Sequence, residues 1–227
     1  MTSSSFNPHF VCSFDLETTG PNPRTARIVT SSCLDIDDEK VATYNWLANP
    51  GIPIPAAAAA IHGISTEKAM AHGKPHTEVL QKTISHIYSS WDDGRALIVY
   101  NANFDLTILR HWDPSFQVCG LVFDPFVVDR ALDPYRKGKR TLGNVCGHYA
   151  VSLDNAHQSA DDAWAAAQVA LKLTEKYPEL LTKSTDELME LQVSWHKKRQ
   201  ESLRAWLEGR GRDASTVETE WPLLSLS

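Results

Sequence analysis

Phe10-Val11-Cys12-Ser13-Phe14-Asp15-Leu16-Glu17-Thr18-Thr19-Gly20 is the stretch on which the fold turns. Read with a period of two, Phe10 to Leu16 is a strand. Val11, Ser13, Asp15 and Glu17 fall on one face, and Phe10, Cys12, Phe14 and Leu16 on the other. Thr18-Thr19-Gly20-Pro21 breaks it. The apolar neighbours Phe14 and Leu16 make this a central strand, where bare carboxylates are costly. Asp15 and Glu17 therefore offer oxygens to one side of the strand and call for a counter-charge, for which a divalent cation serves.

Working outward, Ile28 to Ile36 and Val41 to Leu47 read as two further strands, joined as a hairpin by Asp37-Asp38-Glu39-Lys40. Asp35, Asp37 and Asp38 read as solvating that hairpin. Ala56 to Ala60 starts a short helix before Ile61-His62-Gly63. Glu78 to Ser89, Phe104 to His111, Thr141 to Tyr149 and Asp162 to Tyr177 read as helices, and Ala96 to Tyr100 and Leu121 to Phe123 as short strands. Asp124 and Asp129, close to Pro125, read as turn and capping residues. Three strands followed by alternating strand and helix predict an α/β fold, a mixed sheet of five strands flanked by helices.

Beyond Pro178 the pattern changes. Leu188, Leu191, Trp195, Leu203, Trp206 and Leu207 form an apolar stripe opposite Lys197, Lys198, Arg199 and Arg204. The expected organisation is a core domain over residues 8–178 and a helical C-terminal appendage and tail over 179–227. The basic face of the appendage reads as solvated, with guidance of nucleic acid or a partner as the alternative.

The 227 residues are 42% hydrophobic, enough for one sizeable core. No run approaches the roughly 18 apolar residues of a membrane helix, and Met1-Thr2-Ser3-Ser4-Ser5 lacks the basic and apolar parts of a signal peptide. Cys12, Cys33, Cys119 and Cys146 are scattered, with no Cys-x-x-Cys pair, and read as core thiols of a reducing compartment. A cytoplasmic protein with no membrane partner is expected. The net charge of −6 argues against broad coating of a duplex but is compatible with gripping a strand end. Arg136-Lys137-Gly138-Lys139-Arg140 is the densest basic run, either a solvated loop or a phosphate contact.

Two more segments carry chemistry. Asp105, in Asn101-Ala102-Asn103-Phe104-Asp105, falls in the first turn of a helix that Asn103 is placed to cap. It either complements the helix dipole or faces a ligand at a strand's carboxyl end. His157 and Asp162 lie five apart in His157-Gln158-Ser159-Ala160-Asp161-Asp162, which suits a histidine in a loop and an aspartate on the first helical turn. Ser159 and Asp162 also form a passable capping box.

Taken in order with their flanks, the three segments resemble the DEDDh, or DnaQ-like, 3′–5′ exonucleases, such as the proofreading epsilon subunit of bacterial DNA polymerase III. The likeness covers about residues 8 to 177 and includes Ile61-His62-Gly63-Ile64. Ser159 stands where the family pattern has alanine, and Gln158 stands where a tyrosine-containing subgroup has tyrosine, so the histidine form is indicated. The resemblance implies a ribonuclease H-like fold. It also implies that Asp15, Glu17, Asp105 and Asp162 hold two Mg²⁺ (or Mn²⁺) ions, with Asp15 between them and His157 as general base. An imidazole suits proton transfer near neutral pH. Thr18 is placed either near the terminal sugar or as a plain turn-former, and His62 either in the nucleotide groove or as a loop residue serving packing or solvent. The expected substrate is a single-stranded nucleic acid 3′ end, DNA favoured over RNA, with release of nucleoside 5′-monophosphates. A second reading, a polymerase- or clamp-associated binding subunit, rests on the faintly clamp-peptide-like ending Trp221-Pro222-Leu223-Leu224-Ser225-Leu226-Ser227, which lacks that motif's glutamine and terminal aromatic.

Overall fold

Both faces of β1 (Phe10–Thr18) are covered, which places it inside a sheet. In the computed structural model, which describes residues 5–153 and 156–225, β1 pairs antiparallel with β2 (Ile28–Asp37), and β2 with β3 (Lys40–Asn49). Met1–Ser4, read above for a signal peptide, and Leu226 and Ser227 of the clamp-like ending lie outside the described residues. Helices α1 (Ala56–His62) and α2 (Thr66–His72) lead to β4 (Lys74–Pro75) and then α3 (His76–Asp92). Next come β5 (Ala96–Ile98), α4 (Ala102–Trp112), β6 (Val122–Phe123), α5 (Pro125–Leu132), α6 (Leu142–Tyr149) and α7 (Ser159–Lys176). A 3₁₀ turn (Pro178–Thr182) precedes α8 (Thr185–Glu208).

The sheet order is β4-β3-β2-β1-β5-β6, with β5 parallel to both β1 and β6. It thus has six strands among the described residues, not five. The extra one, β4, is two residues pairing beside Ala48 and Asn49 at the end of β3, too short to leave a periodicity. No described helix is long and apolar enough to cross a membrane.

One apolar layer packs Phe14, Ile87, Leu97, Leu106 and Leu109 between sheet, α3 and α4. The opposite layer packs Val11, Ile98, Phe123, Val169 and Leu173 beneath α7. Each such fully buried side chain contributes about 1.5–3 kcal/mol relative to exposure. Together they hold the ends of β1 and β5 at a fixed place between α4 and α7.

Several polar residues differ from their sequence reading. Asp35 does not merely solvate the hairpin: its carboxylate meets His86 Nε2 at 3.1 Å, beside the buried thiols of Cys12 and Cys33. Burial opposes the charged imidazole of His86, yet Asp35 and Cys12 raise it to about 9. Asp129 is not a cap. It is fully buried and accepts from Arg136, Arg140 and the Tyr149 hydroxyl, so the arginines of the basic run point inward while Lys137 and Lys139 stay exposed.

The α8 helix starts at a capping box formed by Ser184 and Glu187 and buries Leu188, Gln192 and His196. Gln192 accepts from the Asp124 backbone N–H (2.7 Å) and donates to the Val122 carbonyl (2.8 Å), which ties α8 to β6. Arg204, read as solvated, donates to the Val217 carbonyl at 2.7 Å. The chain then returns to the core, where Trp221 is buried and the Leu224 N–H donates to Thr107 Oγ1.

Candidate active site

Hydroxyls place α7 against the sheet. Ser13 Oγ, on the same face of β1 as Asp15, donates to the Ala163 carbonyl at 2.6 Å. Ser159 Oγ lies 2.6 Å from Ser32 Oγ and 3.1 Å from Thr30 Oγ1. A serine at the family's alanine position is thus used as an anchor to β2 and takes no part in a capping box. These contacts set the first turn of α7, and with it Asp162, over the end of β1.

His157 occupies the exposed loop before α7 with φ of 71°, a left-handed conformation in which histidine is enriched relative to most residues. Its backbone N–H donates to Asp162 Oδ2 at 3.2 Å. Glu17, His157 and Asp162 each offer a donor atom within 4.8 Å of the others. Asp162 Oδ1 is buried and has no hydrogen-bond partner.

Asp105 comes in from the other side. After β5 the chain turns through Asn101, at φ of 65°, and the Asn101 and Ala102 N–H groups donate to the two oxygens of Asp124, each at 2.9 Å. The cap of α4 is therefore Asp124, not Asn103. Asp124 also accepts from the Phe126 N–H at 2.9 Å and from Trp221 Nε1 at 3.2 Å. One turn into α4, Asp105 is 4% exposed.

The four carboxylates feel one another. Burial pushes Asp15 well up from the usual range, and Asp105, Asp162 and Glu17 push it further. Burial, then Asp162, raises Glu17 to about 8. Asp105 is raised well above its ordinary value, chiefly by burial, and Asp162 is raised by burial against the opposing His157 backbone. Four raised carboxyls on three elements, with one oxygen left bare, form a hard-oxygen donor set that fits divalent cations such as Mg²⁺ or Mn²⁺.

This crowding has a measurable consequence. Glu17 rises from 4.5 to about 8, so the folded state keeps a proton that the unfolded chain has released. Its contribution to metal-free stability is therefore undiminished below pH 4.5 and declines as pH climbs towards about 8. Glu17→Gln removes that decline. In chelator the variant should melt about 2–6 °C above the parent at pH 9 and close to it at pH 5. A gap that does not widen with pH would remove carboxylate repulsion as the cause.

Two clefts flank Glu17 and His62. One, of about 410 Å³, has an apolar wall of Pro55, Ala57, Ala58, Ile61 and Phe104. The other, of about 520 Å³, is lined by Asn45, Trp46, Lys68 and His157 among others. His62 ends α1, where Gly63, at φ of 72°, makes the left-handed turn. His62 Nδ1 accepts from the Ile64 N–H, and burial opposes the ring's charged form while the Thr18 backbone favours it. Thr18 lines the apolar cleft, but its hydroxyl donates to the Gly20 carbonyl at 3.0 Å, so the side chain holds the turn. Phe104 was read from sequence only as the start of a helix, because one aromatic at a helix start carries no mark of a wall.

The model of the exonuclease family RNase_T matches residues 12–170. The chain belongs to that family. The chain is 29% identical over 204 residues to the PolC-type DNA polymerase III of Caldanaerobacter subterraneus subsp. tengcongensis, covering 86% of the chain but 14% of that polymerase. It is 30% identical over 175 residues to the DNA polymerase III epsilon subunit of Rickettsia prowazekii, covering 70% and 72% of the two chains. In fold it is similar to exonuclease X in complex with 5′ overhanging duplex DNA (TM-score 0.61, 20% identity, 78% of this chain and 99% of that one). It is also similar to E. coli exonuclease I in complex with a dA16 oligonucleotide (TM-score 0.61, 20% identity, 86% and 45%). The family is metal dependent, in keeping with the acidic donor set.

Proposed function

We propose that this exonuclease removes nucleotides one at a time from the 3′ ends of single-stranded DNA as nucleoside 5′-monophosphates. The observation that carries the reading is the convergence of Glu17, His157 and Asp162 within 4.8 Å, where Glu17 borders the apolar cleft and Glu17 and His157 border the second one. Supporting it, the fold relatives exonuclease X and exonuclease I were each captured with DNA, and the Rickettsia relative is a polymerase subunit.

Asp15, Glu17, Asp105 and Asp162 hold two Mg²⁺ or Mn²⁺ ions, which when bound supply positive charge to the attacking and leaving oxygens of the phosphodiester. His157 takes the proton of the attacking water, and the hydrogen bond from its backbone to Asp162 fixes the loop at the required place. The wall of Ile61 and Phe104 stacks the terminal base, a contact available to any base through its flat face. The His62 ring, which borders both clefts, contacts the terminal nucleotide, and the Thr18 turn borders its sugar.

His157→Ala should lower kcat about 10²–10⁴-fold while leaving strand affinity within a few-fold, as expected for a lost proton acceptor. Single-turnover cleavage together with fluorescence anisotropy separates the two, and an unchanged rate removes His157 from this role. The overall reading is tested by digesting matched DNA and RNA oligonucleotides, labelled at either the 3′ or the 5′ end, with and without Mg²⁺. Immediate release of 3′ label as mononucleotide and a 5′-labelled ladder shortening by single steps are expected, faster on DNA. Label lost first from the 5′ end overturns the polarity, and faster loss from RNA overturns the sugar preference.

A further inference from the structure

A cleft of about 200 Å³ lies on the far side of the first turn of α4, between that turn, α5 and α8. It is lined by Asn103, Phe126, Arg130, Trp195, His196 and Arg199, among others, and no carboxylate lines it. The Arg130 guanidinium lies over the Phe126 ring at 4.9 Å. Neither the Arg130 nor the Arg199 side chain makes an ion pair or a hydrogen bond among the described residues. They are close enough that Arg199 disfavours the charge on Arg130, which burial disfavours more. His196 is 8% exposed; among the described residues its Nε2 is buried without a hydrogen-bond partner, while burial opposes the ring's charged form, the Glu218 backbone favours it and Arg130 opposes it.

Two like charges brought together from separate helices repel, and a buried ring nitrogen without a partner forfeits its hydration. The same chain neutralises Arg136 and Arg140 on Asp129, the residue before Arg130, so unpaired arginines are not its general habit. Arginine's fork matches phosphate oxygens, and Phe126 and Trp195 add aromatic surface beside them.

We propose that this cleft binds a phosphodiester of the substrate strand upstream of the terminal nucleotide, with Arg130 and Arg199 on the phosphate oxygens and His196 Nε2 and Asn103 beside them. The inference rests on the nuclease reading above and gives the last helix a task in it: α8 supplies Trp195, His196 and Arg199 to the path of the strand. The cleft and Asp105 share the first turn of α4, Asn103 lining the one and Asp105 belonging to the other, so the proposed strand path runs round that turn.

The test compares the parent, Arg199→Ala and Arg130→Gln with Lys198→Ala, which removes the same charge from an exposed neighbour outside the cleft. Affinity for a 12-nucleotide strand is measured by fluorescence anisotropy in chelator across a salt series. Hydrolysis of that strand and of a dinucleotide is measured with Mg²⁺. Each cleft variant should weaken strand binding about 5–20-fold and reduce the slope of log affinity against log salt by about 0.7, the value for one lost phosphate contact on a single strand. KM for the 12-nucleotide strand should rise in parallel, with kcat on the dinucleotide within twofold of the parent. Strand affinity and slope unchanged in Arg199→Ala, or an equal loss in Lys198→Ala, overturns the proposal. If the parent binds the strand but cleaves neither substrate, the nuclease reading fails and the anisotropy comparison still decides the cleft.

Discussion

Asp162→Ala cuts nucleotide release by roughly 10³-fold or more and leaves the protein folded. The size of the effect follows from what the residue does at both of its oxygens. Among the described residues Oδ1 is buried without a hydrogen-bond partner and is left to a cation, while Oδ2 receives the His157 N–H at 3.2 Å. Alanine removes a ligand and frees the loop that carries the proton acceptor in one change. The fold is spared because Ser13 and Ser159, not Asp162, fasten α7 to the sheet. In chelator the variant should melt no lower than the parent, since one of the charges crowding Asp15 has gone. Stripping divalent ions from the parent should abolish release equally. Full activity in either case ends the carboxylate–cation reading, as does a variant whose circular dichroism shows that it has unfolded.

Asp129→Ala lowers unfolding free energy by about 3–5 kcal/mol, the range for removing one partner from a buried ion pair. The Asp129 side chain is fully buried, and those of Arg136 and Arg140 are 13% and 7% exposed. Alanine takes the buried carboxylate from two guanidinium groups and the Tyr149 hydroxyl, leaving Arg136 with Asp133 at 3.5 Å and Arg140 with backbone carbonyls. The effect is read from urea unfolding at constant m-value. A loss under 1 kcal/mol would mean that the arginines swing out into water at little cost, returning them to the solvated loop read from sequence. Residual activity of the folded fraction should be near that of the parent, because this knot lies on α5 and its following loop, away from the four carboxylates.

The two predictions differ in how far sequence foresaw them. Asp15 and Glu17 announce themselves because a two-residue spacing on a strand needs only local geometry to place both acids on one side. Asp105 and His157–Asp162 are recognisable through fixed neighbours and order, which is information about a whole pattern. Asp129 left no such trace: its partners lie 7, 11 and 20 residues away, two in a loop whose composition looks like any solvated basic stretch and one at the end of α6. Asp35 and His86 are 51 residues apart and belong to a strand and a helix whose facing sides are fixed only by packing. Gln192 and His196 sit inside an otherwise apolar stripe, where polar residues read as breaks in the pattern. Helix α2 and strand β4 were missed because seven and two residues are too few for a period to emerge.

The carboxylate of Asp124 gathers backbone donors from Asn101 and Ala102 at the head of α4, from Phe126 at the head of α5, and the indole of Trp221 from the returning tail. A truncation at residue 178 therefore does more than trim a peripheral arm. It withdraws the indole and the Gln192 amide from the turn that aims Asp105, so sluggish catalysis in such a fragment would report a slackened scaffold as readily as a missing docking surface. Point changes on the outer side of α8, which leave that junction intact, are the cleaner instrument for asking what the last fifty residues contribute.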